Sequence, residues 1–267
     1  MAGTARIGII GASGWLGAAF ARAVLDKQFI GRDRLMLSSR HGTGPVEGVA
    51  WTSDNSELVE RSDIVIVSVR PEQFGALAID ASGKLVVSVM AGVSLATLAR
   101  HTGADRLVRA MPNAAAAIGA CYTPWFATPA VTEGDKALVQ GFFESCGEAD
   151  EVRSEADIDY FCGLTGSGAG FPALLASAMI AHAEARGLPP DLVRRAVLSV
   201  VAGASRLLKD TDPAEMMQAL IAYRGTTAAG LQAMIEAGFT QAVAAGLDAA
   251  DRRAKEMAEA SARRLDP

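Results

Sequence analysis

Arg6-Ile-Gly-Ile-Ile-Gly11-Ala-Ser-Gly14-Trp-Leu-Gly17 stands near the start of the chain and runs on into Ala-Ala-Phe-Ala-Arg-Ala-Val-Leu-Asp-Lys27. Arg6 to Ile10 reads as a buried strand and Trp15 to Lys27 as a helix, with a glycine-rich turn between them. In a strand–turn–helix unit such glycines permit a tight turn and close backbone approach to a pyrophosphate. The helix start adds free N–H groups and the positive end of the helix dipole. The candidate cradle is Gly11, Ser13, Gly14, Trp15, Leu16 and Gly17. Its spacing is G-x-x-G-x-x-G, with Ser13 where a middle glycine would stand, and a ligand-free glycine turn is the competing reading. The strand before it and the helix after it favour a dinucleotide.

Outward from this unit, short apolar runs alternate with helical patterns. Leu35 to Ser38, Ile64 to Val69, Leu85 to Val89 and Leu107 to Ala110 read as further strands, with helices at Glu72–Ile79 and Leu95–His101. A helix at Gly134–Cys146 and a strand at Glu148–Val152 close the segment. Continuous apolar runs are what strands buried on both faces require, and strand–helix alternation implies a doubly wound parallel sheet. The expected fold class is therefore α/β. The second strand ends in Ser38-Ser39-Arg40-His41. An NAD site normally has an acid there to hold the ribose hydroxyls. Hydroxyls and a guanidinium suit a 2′-phosphate instead, so Ser39 and Arg40 point to NADP.

Beyond about Ser154 the pattern changes to alanine-rich helices at Phe171–Arg186, Asp191–Lys209, Ala214–Ala222 and Thr227–Ala237, then from Phe239 towards Arg264. Gly187 with Pro189 and Pro190, Asp210 to Pro213, and Gly238 supply the stops. The expected division is a nucleotide-binding domain over residues 1–153 and an all-α domain over 154–267. Several of these helices are apolar almost all round. A tight internal bundle would explain that; a second copy of the chain explains it better, because large homodimer interfaces resemble a core cut in half. A homodimer or larger homo-oligomer is expected.

Composition narrows the function classes. The chain has 267 residues, 50% hydrophobic, 21% charged and 6% aromatic, with net charge −5. That is enough apolar material for a sizeable core. The negative balance gives no general attraction to nucleic acid or to anionic membranes, and neither is an expected partner. From Ala110 to Val131 no charged residue occurs, but the stretch contains Pro112, Asn113, Pro124 and Pro129, so a buried strand-and-loop region is expected rather than a membrane span. Cys121, Cys146 and Cys162 are too few and too scattered for a disulfide framework or a zinc site, which fits a reducing cytoplasm. His41, His101 and His182 stand far apart and form no metal motif, and no G-x-S-x-G elbow exists. No metal is expected.

Glycine and hydroxyl residues crowd two further helix starts, Thr165-Gly166-Ser167-Gly168-Ala-Gly-Phe171 and Arg224-Gly225-Thr226-Thr227-Ala-Ala-Gly230. Both could be N-caps, and both could equally bind a small carboxylate through backbone N–H groups and hydroxyls.

Taken in order, these pieces resemble the pyrroline-5-carboxylate reductase family. They are the turn at Gly11–Gly17, Val67-Ser-Val-Arg-Pro71, Ser88-Val-Met-Ala-Gly92-Val, Met111-Pro-Asn113, Leu164-Thr-Gly166-Ser-Gly168, Arg224-Gly-Thr226-Thr227-Ala-Ala-Gly230 and Ala237-Gly-Phe239. The resemblance spans about the whole chain. It implies a Rossmann domain, a helical dimerisation domain, and reduction of a cyclic imine, pyrroline-5-carboxylate to proline, by NADPH. It implies that Ser167, Gly168, Gly225, Thr226 and Thr227 surround the substrate, with Thr227 hydrogen-bonding the ring nitrogen. Val69, Ala91 and Asn113 would line the nicotinamide. The chain departs from the family at three points. S-P-G-G-T-T becomes Ala222-Tyr-Arg-Gly225-Thr-Thr227, the Thr-Pro after Met-Pro-Asn becomes Ala114-Ala115, and Pro-Ala-Tyr becomes Ala169-Gly170-Phe171. Arg224 would take a glycine's backbone angles only at a cost of about 1 kcal/mol or more, so a different loop path is expected, with Arg224 either a partner for a substrate carboxylate or a solvent-facing residue that contributes nothing. The alternatives are a reductase of another imine or imino acid, a ferredoxin-like or deazaflavin-linked NADP reductase, and an NADP-sensing protein without turnover.

Overall fold

The computed structural model describes residues 4–265. One compact unit is the chain up to Ser167 together with the chain from Ala250 onward; the other is Gly168–Ala249.

The first unit is built on an eight-stranded sheet of order β3-β2-β1-β4-β5-β6-β7-β8. Its strands are β1 (Ile7–Ile10), β2 (Leu35–Ser38), β3 (Ala50–Thr52), β4 (Ile64–Val67), β5 (Leu85–Ser88), β6 (Arg106–Ala110), β7 (Cys121–Ala127) and β8 (Gly147–Glu151). Pairing is parallel except between β6 and β7. The expected parallel sheet is thus present, with one antiparallel pairing that the sequence pattern does not reveal. The link from β6 to β7 is only a short 3-10 turn, Ala114–Ile118, and so short a connection cannot make a parallel crossover. The charge-free stretch 110–131 thus forms the end of β6, this turn and β7.

Alternate residues of each strand feed two cores. Ile7, Ile9, Ile64, Ile66, Leu85 and Val87 pack on one face; Val65, Val67 and Val86 pack on the other. The helices of this unit are α1 (Trp15–Asp26), α2 (Asn55–Glu60), α3 (Pro71–Phe74), α4 (Leu95–Thr102), α5 (Glu133–Glu144) and α6 (Glu155–Phe161), followed by a π-helical turn, Cys162–Gly166. α3 stops earlier than its apolar pattern suggests, at Gly75, and α2 and β3 are too short to announce themselves in the sequence. The compositional change near Ser154 and the packing boundary after Ser167 do not coincide, because α6 packs on β6 and β7.

The second unit contains α7 (Gly170–Glu184), α8 (Pro190–Leu198), α9 (Pro213–Ala222), α10 (Thr226–Glu236) and the first part of α11 (Phe239–Leu265). The single helix expected over Asp191–Lys209 is instead α8, a π-helical turn at Ser199–Gly203 and a 3-10 segment at Ala204–Lys209. Two valines and a glycine in that π-helical turn are poor helix formers. The unit's buried cluster consists of Ala176, Val193 and Val197. Large apolar side chains lie outside it, with Leu174 70% and Leu207 62% exposed.

Candidate active site

In a parallel sheet the carboxyl ends of the strands share one edge, and a ligand crevice opens where the strand order reverses. Here that point lies between β1 and β4. The nucleotide candidates all follow carboxyl ends: the glycine turn after β1, Ser39 and Arg40 after β2, Val69 after β4, Ala91 after β5 and Asn113 after β6. The topology gathers them at one edge of the first unit.

The turn packs so closely on its own chain that Gly11 and Gly17 leave no room for a Cβ. Gly11 has φ +82°, and a Cβ there would lie 2.5 Å from the Ser68 carbonyl oxygen and 2.9 Å from Val69 Cγ1. A Cβ on Gly17 would lie 2.9 Å from Ala12 Cα, so this glycine lets the helix pack against its own turn. The Ala12 N–H donates to the Ser38 carbonyl at 3.0 Å and the Gly14 N–H to that of Gly11 at 3.0 Å, tying the turn to β2 and to itself. No side chain caps α1, whose first-turn N–H groups at Trp15, Leu16 and Gly17 therefore face the edge. Ser13 is exposed and Trp15 is 62% exposed. This set fits a dinucleotide pyrophosphate.

Beyond β2 the two expected residues divide their work. The Ser39 hydroxyl donates to the Thr43 carbonyl at 2.6 Å and accepts from the Thr43 N–H, so it shapes the 39–43 loop. Arg40 is exposed and has no ion-pair or hydrogen-bond partner among the described residues. A phosphate would therefore meet Arg40, on a loop that Ser39 holds. Asn113 accepts from the Ala115 N–H with its side-chain oxygen at 3.0 Å, which starts the 3-10 turn and leaves its amide nitrogen for a ligand.

The hydroxyls crowding the later helix starts do not act as N-caps. Ser167 donates back to the Cys162 carbonyl at 3.4 Å, and α7 begins without a side-chain cap. α10 likewise begins without one, behind Gly225, with Thr226 and Thr227 exposed. In the second unit Arg224, Gly225, Thr226 and Thr227 thus form an uncapped helix start carrying two hydroxyls and one guanidinium. Arg224 takes the left-handed conformation itself, at φ +56°. The expectation of a different path that avoids this conformation is corrected. Arg224 directly follows α9's C-cap, Tyr223, the place where a helix usually ends on a left-handed glycine. Its side chain is exposed, beside a Tyr223 ring that is 87% exposed. Gly168 lies in the second unit and Ser167 in the first.

The cysteines offer no nucleophile. Burial pushes the Cys146 thiol up to about 11, and burial raises Cys162 against the opposing influence of Arg109. His101 packs against Phe74 in the last turn of α4, with ring centroids 5.2 Å apart and the planes tilted by 40°, whereas His41 and His182 are exposed. Among the described residues no group of three or more His, Cys, Asp or Glu is placed to hold a metal.

Arg109 belongs to none of the motifs singled out in the sequence. It is 2% exposed, paired with Glu155 at 3.1 Å and with Asp159 at 2.6 Å. The available signals were a charge inside the apolar run Leu107-Val-Arg-Ala-Met111 and two acids spaced i, i+4 at a helix start.

Residues 155–257 match the family model described as pyrroline-5-carboxylate reductase dimerisation, and residues 6–92 match one described as NADP oxidoreductase, coenzyme F420-dependent. The chain is 33% identical to a pyrroline-5-carboxylate reductase of Thermus thermophilus, covering 73% of this chain and 76% of that one. It is 29% identical to the enzyme of that name from Synechocystis, covering 94% and 98%. A solved pyrroline-5-carboxylate reductase structure from Coxiella burnetii superposes with a TM-score of 0.85 at 25% identity, covering 95% of this chain and 98% of that one.

Proposed function

The chain belongs to the pyrroline-5-carboxylate reductase family, and on that footing we propose that it reduces pyrroline-5-carboxylate to proline with NADPH. The observation that carries this reading is the uncapped start of α10, where Thr226 and Thr227 keep their hydroxyls for a ligand. NADPH, when bound, supplies the hydride that the imine carbon accepts. The chain's part is to bind, orient and balance charge. The first-turn N–H groups of α1, with Gly11, Ser13 and Gly14 before them, hold the pyrophosphate, and Arg40 pairs with the 2′-phosphate. Val69, Ala91 and Asn113 bound the nicotinamide. Ser167, Gly168, Gly225 and Thr226 hold the carboxylate, and the Thr227 hydroxyl hydrogen-bonds the ring nitrogen. Residues 1–153 and 154–267 are the nucleotide-binding and the dimerisation and substrate domains of this reading.

Arg224 supports a preference for substrates bearing a carboxylate, since a left-handed arginine is a strained feature of the kind that accumulates at ligand sites. The test is NADPH consumption by the purified protein with pyrroline-5-carboxylate and with an uncharged cyclic imine. Turnover of the acid is expected to exceed that of the neutral imine about tenfold or more, in line with a charge-assisted contact. Arg224→Gly should raise KM for the acid and leave the neutral imine unchanged. It should shift stability by no more than about 1 kcal/mol, because relief of the left-handed strain offsets the entropy of glycine. Absence of NADPH consumption with any cyclic imine would overturn the proposal.

The exposed apolar side chains of the second unit fall within the segment matched by the dimerisation model. The helical stretch Glu155–Glu184 is long and apolar enough to cross a membrane by length and composition. A second copy of the chain, rather than lipid, is the partner this reading gives it, in a cytoplasmic protein whose three cysteines are free. Sedimentation at micromolar concentration should show a dimer or a larger closed oligomer. A stable, active monomer would refute this.

A further inference from the structure

We propose that Arg109 is a positioning residue for the reductase site, its buried guanidinium setting the relative places of the segments that carry Ala91, Asn113 and Ser167; this rests on the reading above. Arg109 lies on β6, four residues before Asn113, and its side chain is 2% exposed. One guanidinium nitrogen donates to Glu155 Oε1 at 3.1 Å and the other to Asp159 Oδ1 at 2.6 Å, while Nε is buried without a partner. Glu155 and Asp159 stand one turn apart on α6, so a single planar fork grips the helix at two points. A lysine, with one point charge, could not do this.

The same Glu155 oxygen accepts from the Leu95 N–H at 2.8 Å, the first amide of α4. That amide follows the loop of Ala91 and Gly92. At the other end, α6 passes into the π-helical turn Cys162–Gly166 that delivers Ser167. Gly166 there lies against Met111, whose Cγ would be 3.6 Å from a Cβ at that position. The carboxyl-terminal part of α11 closes on the same region. Backbone atoms of Met257 would stand 3.2 Å from a Cβ on Gly92, and the Ala250 Cβ would stand 2.9 Å from one on Gly163. With so little room at Gly92 and Gly163, a shift of α6 moves the Ala91 loop and the Ser167 turn together.

Charges so placed add little net stability, because the desolvation of the ions offsets their attraction; a buried ion group is better suited to fixing register. A π-helical turn at the end of the gripped helix fits such a role, since these turns recur at functional sites. Apolar side chains could fill the volume, but could not hold the two carboxylates that α6 presents to Arg109.

The experiment compares the unmodified protein with Arg109→Lys and with the neutral triple variant Arg109→Met, Glu155→Gln, Asp159→Asn. The readouts are thermal midpoint, NADPH affinity by fluorescence, steady-state kinetics with the cyclic imine, and backbone amide exchange. Arg109→Lys should lower kcat about tenfold or more with NADPH affinity changed less than twofold. The triple variant should recover the midpoint of the unmodified protein but not its kcat. Both should lose exchange protection over residues 162–168 while that of α1 stays unchanged. A triple variant with undiminished kcat, or unchanged protection over 162–168 in Arg109→Lys, would overturn the assignment. If the unmodified protein reduces no cyclic imine, the reductase reading falls, and the exchange data alone still decide whether Arg109 positions this turn.

Discussion

Arg40→Asp is expected to lower the NADPH-to-NADH ratio of kcat/KM by about 100-fold. Arg40 extends from the loop after β2 without a partner among the described residues, so it enters no internal network that the substitution would break. A hydrogen bond to a charged group contributes about 1.5–3 kcal/mol, and a guanidinium facing a 2′-phosphate can make two. Aspartate removes that attraction and adds repulsion to the phosphate, while it can accept from the ribose hydroxyls of NADH. The Ser39–Thr43 contacts do not involve the Arg40 side chain, so the loop should keep its form. Steady-state kinetics with both cofactors measure the ratio. Equal efficiency with both in the unmodified protein would remove Arg40 from the site.

Gly11→Ala is expected to cost about 2–5 kcal/mol of stability and to weaken NADPH binding at least tenfold. The left-handed backbone is unfavourable by about 1–2 kcal/mol for a residue with a Cβ. Steric overpacking adds about 1–3 kcal/mol. At 2.5 Å from the Ser68 carbonyl oxygen the new carbon meets backbone, which cannot swing aside as a side-chain tip can. The turn must move, carrying with it the bonds from Ala12 to Ser38 and from Gly14 to Gly11. The N–H groups at the start of α1 then lose their aim. Chemical denaturation and NADPH titration measure the two effects separately. Gly83→Ala is the control, since its φ is also positive, at +75°, but nothing lies within 4 Å of its Cβ position. It should show the backbone cost alone and leave NADPH affinity unchanged.

The apolar strands of the first unit and the glycine turn after β1 were legible because their signals are local. A run such as Ile64-Val-Ile-Val67 has one physical solution, burial on both faces, and the turn at Gly11 lies between a strand and a helix that each declare themselves. Arg40 could be singled out for the same reason, being a residue type at a fixed place relative to a strand end. The family motifs at Ser167 and Gly225–Thr227 could be found in the chain, but whether their hydroxyls cap helices could not, because N-cap and ligand site have the same composition.

Local patterning along the chain was therefore enough for the α/β class, the nucleotide-binding first half, the helical second half and the family. Tertiary structure alone decided the antiparallel β7, the left-handed Arg224, the internal use of the Ser39 hydroxyl, and the ion group of Arg109 with Glu155 and Asp159. The reason is the range of the forces. Hydrophobic period and turn chemistry act between residues a few positions apart and are written in order along the chain. Arg109 lies 46 residues from Glu155 and 50 from Asp159 in sequence, and only the packing of α6 on the sheet gives this buried arginine of β6 its two carboxylate partners.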